Sequence, residues 1–316
     1  MTDAACAPVP SFVGRFAPSP TGPLHLGSLV AALGSWLFAR AAGGQWLVRI
    51  ENLDTPRVVP GAAHDILRTL ERYGLTWDGE VVFQSARAAL YERAFEDLLR
   101  RKMIYACACS RTDLLRAASA PAPGEEGDSR SVYPGTCRSG LPPGKAARAY
   151  RFRVAPGLST FEDLVFGPVS EDVSASVGDF VVKRADGPYA YQLAVVVDDA
   201  AQGVTQVVRG ADLLASTARQ IALQRALGLP TPAYAHLPLV LGPDGKKLGK
   251  RDGALPLAAL DDAHLRATLA FALRALGQEP PDGTLPEMLR EARARFSPAR
   301  IPREPRRAPA GGRRPG

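Results

Sequence analysis

The sequence predicts an α/β protein built on a doubly wound, mostly parallel sheet. Three observations carry that prediction. Residues 11–50 run strand, helix, strand, a unit whose strands come out parallel because the crossover helix packs back on the sheet. The connection after the first strand, APSPTGPLHLG, holds three prolines and two glycines and opens onto a helix, where such sheets bind anions. Two further helical stretches, Pro60–Tyr73 and 87–102, keep the alternation going through the first hundred residues.

Each element has its local reason. SFVGRF, residues 11–16, reads as a short strand, and the Pro/Gly-rich segment after it as a loop. Ser28–Ala42 is apolar and helix-forming, and Gly43-Gly44 stops it. Gln45–Ile50 is the second strand, with Glu51 at its carboxyl end. Gly74 ends the second helix. The rhythm breaks after Cys109. Residues 117–131 (AASAPAPGEEGDSRS) are small and polar and read as a mobile loop. Strand-like runs follow at 150–154, 164–166, 180–184 and 191–197. Gly210–Leu227 reads as a helix, His236–Leu241 as a strand, and GPDGKKLGKRDG as a glycine-bearing loop. Helical patterns return at 262–276 and 286–295, and no internal repeat is visible.

Composition narrows the class. A chain of 316 residues leaves room for about two domains. With 46% hydrophobic and 22% charged residues, wholesale disorder is excluded. No apolar run reaches the roughly 18 residues of a membrane span. Met1–Pro10 lacks the basic and apolar regions of a secretory signal. The expectation is a soluble, reduced, cytoplasmic protein with no membrane contact and no obligate protein partner. Of the four cysteines, Cys107, Cys109 and Cys137 cluster and Cys6 stands apart, which suits a metal better than disulfides.

The net charge of +7 lies wholly in residues 293–316, which hold 8 Arg and one acid, Glu304. Such a Pro-, Gly- and Arg-rich tail reads as disordered and solvated, or as a non-specific phosphate contact. Lysine usage is sharper: against 33 Arg there are 6 Lys, three of them Lys246, Lys247 and Lys250. A chain that otherwise writes its positive charge as Arg has placed compact, flexible ammonium groups here, suited to a moving phosphate.

The first loop is a candidate nucleotide site of unusual type. It lacks both the P-loop pattern and GxGxxG. It has Pro18-Ser19-Pro20-Thr21-Gly22 and then His25-Leu26-Gly27-Ser28. A histidine just before a helix can donate to a phosphate oxygen as charge develops there.

Arg15-Phe16-Ala17-Pro18-Ser19-Pro20-Thr21-Gly22 through His25-Leu26-Gly27 resembles the signature of the glutamyl/glutaminyl branch of class I aminoacyl-tRNA synthetases. The second motif of that family, a lysine loop, is matched by Lys247-Leu248-Gly249-Lys250-Arg251, and the resemblance runs from about residue 12 to 255. It implies a Rossmann-like catalytic core that activates an amino acid with ATP and Mg2+. His25, Lys247 and Lys250 would be catalytic. His25, Gly27, Ser28 and Lys250 would bind ATP, the lysines neutralising the leaving pyrophosphate. Arg15, Phe16, Ala17, Pro18, Ser19, Glu51, Tyr191 and Arg209 would line the amino-acid site. Arg15 would fork onto a substrate side-chain carboxylate, and Glu51 would face the ammonium. Where the family usually has Asp, this chain has Asn52, which separates that residue from the expected set.

Three thiolates at Cys107, Cys109 and Cys137 leave one position of a zinc tetrahedron open. Cys6, Asp113, a histidine or Tyr133 could fill it. The spacing CxC followed by YxxxCR resembles the zinc site of short glutamyl-tRNA synthetase paralogues, which implies one structural Zn2+ with Tyr133 as fourth ligand. Those paralogues place glutamate on the queuosine base at the wobble position of tRNA(Asp). The 65 residues after the lysine motif are too few for an anticodon-gripping module, and that points the same way. The expected substrates are L-glutamate, ATP and queuosine-bearing tRNA(Asp). A tRNA(Glu)-charging synthetase or a non-catalytic tRNA-binding paralogue are the alternatives. The expected division is a first half-core over 1–104, a zinc-bearing, acceptor-type insertion over 105–190 and a second half-core over 191–255. A short helical subdomain over 256–292 and a disordered tail over 293–316 complete it.

Overall fold

The structure, a computed structural model, describes residues 12–110, 113, 132–242, 245 and 257–308. The loop 117–131, Cys6 and the lysine segment with Lys246, Lys247 and Lys250 lie outside the described residues.

Strands β1 (Val13–Phe16), β2 (Gln45–Ile50) and β3 (Val82–Phe83) form a parallel sheet. Helix α1 (Leu26–Ala41) is the crossover between β1 and β2. It is apolar on nearly every face, and residues Leu29 to Ala39 are almost all buried, as for a helix enclosed by its own fold. Gly34 is the point of closest approach: a Cβ there would meet Leu237 Cδ1 at 2.5 Å. Helices α2 (Ala62–Arg72) and α3 (Ala88–Arg100) follow in the expected order.

The second sheet has the order β7-β6-β10-β9, from β6 (Ser159–Asp163), β7 (Gly167–Glu171), β9 (Gln206–Gly210) and β10 (Ala233–Leu237). Both β9 and β6 pair parallel with β10, and β7 is antiparallel to β6. The sheets meet where Thr205 N–H donates to Val13 O at 3.0 Å, so β1 and β9 run side by side. A third, antiparallel sheet is formed by β4 (Ile104–Cys107), β5 (Ala149–Phe152) and β8 (Phe180–Lys183); Cys107 ends β4, Cys109 follows it, and Cys137 lies in a turn beside them. The insertion therefore contributes to two sheets, because β6, with β7 outside it, pairs with β10 of the second sheet.

Several local expectations change. Residues 191–197 form not a strand but the start of helix α5 (Tyr191–Ala201), which follows the short α4 (Val173–Ser176). Its valine run favours β by propensity, but Leu193 to Asp199 are buried on all sides, and packing overrides propensity. Residues 164–166 form a turn, not a strand, because Asp163 Oδ1 accepts from the N–H groups of Val165 (3.0 Å) and Phe166 (2.9 Å). The segment 210–227 begins with a 3-10 turn, Ala211–Leu213, before helix α6 (Leu214–Leu227). Pro238 lacks an N–H, and the strand expected over 236–241 divides there into β10 and β11 (Val240–Leu241).

The tail departs furthest from expectation. Helix α7 (Asp262–Ala275) and helix α8 (Leu285–Arg295) pack with α1 in the main core. The chain beyond them is ordered through Ala308: Ile301 is buried in that core, and β12 (Arg306–Arg307) pairs parallel with β11. Arg306 and Ala308 donate backbone N–H bonds of 2.8 Å to Leu239 O and Leu241 O. The turn beneath needs Gly277, at φ +70°, where a Cβ would fall 1.9 Å from Arg300 O. Backbone pairing and one buried isoleucine thus decide the fate of a segment that charge alone assigns to solvent. Residues 309–316 lie outside the described set.

Candidate active site

The carboxyl ends of β1, β2 and β9 open onto a cavity of about 610 Å³, the position where open α/β sheets bind ligands. Arg15, Phe16, Ala17, Ser19, Glu51, Tyr191 and Arg209 all line it. A second cavity of about 350 Å³ is lined by Pro18, His25, Gly27 and Ser28. Phe16, Ser19, Thr21, Gly210 and Asp212 face both, so the two form one continuous cleft.

The floor of the larger cavity is a buried ionic network. Arg15 forks onto Asp199, with Nε at 3.0 Å and the second nitrogen at 3.3 Å. Arg49, fully buried, donates to Asp199 Oδ1 (2.7 Å), Gln202 Oε1 (2.8 Å) and Glu51 Oε1 (3.1 Å). Asp198 receives Arg87 (2.5 Å), Gln84 (2.8 Å) and Tyr91 (2.8 Å). Three guanidinium groups thus balance three carboxylates, as buried charge requires. Burial works against the Asp199 carboxylate, but Arg15 and Arg49 hold its pKa below the usual range. Burial pushes Glu51 upward, against the pull of Arg49 and Arg15.

Asp198 and Asp199 went unread in the sequence although the run AVVVDDA displays them. Two acids near a helix C-terminus oppose the helix dipole and therefore demand cations from elsewhere. Arg209 is equally engaged. It donates to His236 Nε2 (3.1 Å), Gln220 Oε1 (2.8 Å), Thr217 Oγ1 (2.9 Å), Tyr191 Oη (3.4 Å) and the Leu213 carbonyl (3.4 Å). Asn52 is held apart by two 2.9 Å bonds with Ser85.

In the smaller cavity His25 is the N-cap of α1. Its Nδ1 accepts from Ser28 N–H at 3.3 Å, and its Nε2 lies 3.2 Å from Ser28 Oγ. Gly27 leaves room for the ring, since a Cβ there would meet it at 3.2 Å.

At the end of β4 the sulfurs of Cys107, Cys109 and Cys137 lie within 4.8 Å of one another. Tyr133 Oη lies 3.5 Å from Cys107 Sγ and 3.8 Å from Cys109 Sγ, and Cys109 and Cys137 sulfurs are 3.7 Å apart. A zinc tetrahedron with ordinary bond lengths has S–S edges of about 3.8 Å and S–O edges of about 3.5 Å. The four donor atoms therefore fit that ion. Arg151 and Ala108 N–H donate to the sulfurs of Cys107 and Cys137, and the Arg151 guanidinium stacks 3.8 Å above the Tyr133 ring. Asp113 is turned onto Ser110 instead, and no histidine joins the cluster among the described residues.

A parallel core with a helix-capping histidine and a charge-lined cleft defines a class I synthetase catalytic fold. Residues 11–290 match the family of tRNA synthetases class I (E and Q), catalytic domain, and the chain belongs to that family. It is 58% identical over 301 residues to a protein of Geobacter sulfurreducens called Glutamyl-Q tRNA(Asp) synthetase, covering 93% of this chain and 95% of that one. A protein of the same name from Aromatoleum aromaticum is 58% identical, covering 89% of this chain and 86% of that one. A solved glutamate tRNA ligase from Elizabethkingia meningosepticum, in complex with its amino acid, superposes with a TM-score of 0.75 at 28% identity. That match covers 94% of this chain and 66% of the longer protein.

Proposed function

We propose that the chain activates L-glutamate with ATP and transfers the glutamyl group to queuosine at the wobble position of tRNA(Asp). The supporting observation is the convergence of Arg15, Glu51, Tyr191 and Arg209 on one cavity. The tRNA target rests on the relatives' name and on their near-equal length. The glutamate ammonium sits against Glu51 and its side-chain carboxylate against Arg15. Its α-carboxylate oxygen attacks the ATP α-phosphorus, the bond to the β-phosphate bridge breaks, and pyrophosphate leaves as adenylate forms. His25 at the helix terminus with Lys247 and Lys250 neutralises that charge. In the second step a queuosine hydroxyl attacks the glutamyl carbonyl, loses its proton, and AMP departs, leaving an ester. Mg2+ accompanies ATP as substrate, and the reaction belongs in the cytoplasm with its tRNA.

Cys107, Cys109, Cys137 and Tyr133 would hold one structural Zn2+, which ties the two sides of the insertion together. Burial pushes the Tyr133 hydroxyl up, so a cation must supply the field that releases its proton.

Glutamate-dependent exchange of pyrophosphate into ATP, run without tRNA, tests the first step, and exchange is expected. Labelled glutamate offered to tRNA from cells with and without queuosine tests the second. Transfer to tRNA(Glu), independent of queuosine, would overturn the assignment.

A further inference from the structure

We propose that Asp163 and His236 are a buried positioning pair that fixes the tautomer of His236 and thereby aims Arg209 into the amino-acid cavity. The inference rests on the glutamate reading of that cavity. Both side chains are fully shielded from solvent, and neither lines the cleft.

The geometry dictates the proton positions. Asp163 Oδ1 already accepts from Val165 N–H at 3.0 Å and Phe166 N–H at 2.9 Å, with His236 N–H at 3.3 Å. Its other oxygen, Oδ2, lies 2.6 Å from His236 Nδ1. A carboxylate only accepts, so the His236 proton belongs on Nδ1. Nε2 is then an acceptor, and it receives the Nε–H of Arg209 at 3.1 Å, with Thr217 Oγ1 3.3 Å away as a second neighbour. The remaining four donors of Arg209 meet Tyr191, Leu213, Thr217 and Gln220. Arg209 and Tyr191 both face the cavity, whereas Asp163 and His236 sit in the strands behind it. A carboxylate that fixes a histidine tautomer for a third group is a known device of nucleophilic enzymes. Here the third group is a cation, and no proton needs to move.

Asp163→Asn separates this role from simple packing. The backbone donors hold the amide oxygen at the Oδ1 position, so the NH2 group faces His236 Nδ1. A donor there drives the histidine proton to Nε2, where it confronts the Arg209 Nε–H. Arg209 must leave its position although the substituted side chain has kept its shape. Loss of hydrogen bonds to a charged group of this kind weakens glutamate binding by about 10–100-fold, with ATP binding retained.

The experiment measures three things on the full chain: the His236 tautomer by nitrogen NMR, glutamate and ATP affinity by calorimetry, and melting temperature. The expected result for Asp163→Asn is an Nε2–H tautomer, weakened glutamate binding and unchanged ATP binding. Should that variant not fold, His236→Gln and His236→Phe replace it. Gln restores an acceptor for Arg209 and holds glutamate affinity within about threefold. Phe removes the acceptor and loses about tenfold or more. Parent-like glutamate affinity in Asp163→Asn or His236→Phe, or an Nδ1–H tautomer in Asp163→Asn, overturns the positioning role. A parent protein that binds no glutamate overturns the function proposed above instead, and the tautomer still reports on the pair.

Discussion

The two halves of the cleft solve the same problem, holding a charged ligand, by opposite means. The larger cavity is braced side chain to side chain, with every carboxylate and guanidinium of its floor paired, mostly between different strands and helices. The smaller one is lined mainly by small and apolar residues, among them Pro18, Gly27, Ser28 and Val240, with the capping His25. An amino acid arrives with fixed charges, so a rigid, pre-paired floor suits it. The phosphates of ATP gain and redistribute charge along the reaction, so a helix terminus suits them. Selectivity should therefore reside in the braced half and rate acceleration in the open one.

The largest expected effect tests the bracing. Arg49→Met strands Asp199, Asp198 and Glu51 without a central counter-charge. Breaking a buried pair in this way costs about 3–5 kcal/mol, to be read from chemical unfolding. Ser28→Ala, in the open half, should leave stability nearly unchanged, and equal losses would erase the contrast. Lys250→Ala addresses rate. Losing a donor to developing charge costs about 2.7–4 kcal/mol of activation, seen in pyrophosphate exchange while calorimetric glutamate affinity holds. A matching drop in affinity would move the lysine out of the reaction step.

Arg15→Ala should erode the preference for glutamate over glutamine. A guanidinium favours a carboxylate over an amide, which offers only one acceptor oxygen. The ratio of kcat/KM for the two amino acids reads this, and an unchanged ratio reassigns the pocket. Acidification probes the same half. Glu51 must be ionised to hold an ammonium, and burial raises its pKa. KM for glutamate should thus climb as pH falls toward that raised pKa, by up to about tenfold per unit below it. The climb starts above the ordinary carboxylate range, and Glu51→Gln should flatten the profile there. The smallest effect belongs outside the cleft. Tyr133→Phe should lower zinc affinity, by metal analysis and chelator competition, and leave glutamate activation largely in place. Undiminished affinity returns the fourth position to another ligand.

What was legible in the sequence is what local pattern encodes. The Pro/Gly loop, the capping His25, Glu51 at a strand end and the CxC spacing each announce themselves within a few residues. The bracing does not, because Arg49 and Asp199 are 150 positions apart and only the fold joins them. His236 and Asp163 lie 73 apart and, taken singly, look like ordinary strand residues. Residues 191–197 misled through valine propensity, because a fully buried apolar run reads alike as a central strand or an enclosed helix. The tail misled through its charge, which says nothing of the backbone groups that β11 leaves open or of where Ile301 goes.

The pairing of β12 with β11 also carries a clock. Val240 and its partner Arg306 are 66 positions apart. At about 5–20 residues per second of synthesis, the strand that precedes the lysine segment waits roughly 3–13 seconds for its neighbour. Until then the carbonyls of Leu239 and Leu241 are left to water, and the groove that Ile301 fills stays open. The smaller cavity, whose wall includes Leu239 and Val240, is thus finished later than the sheet that supports it, by a stretch of chain that lines neither cavity.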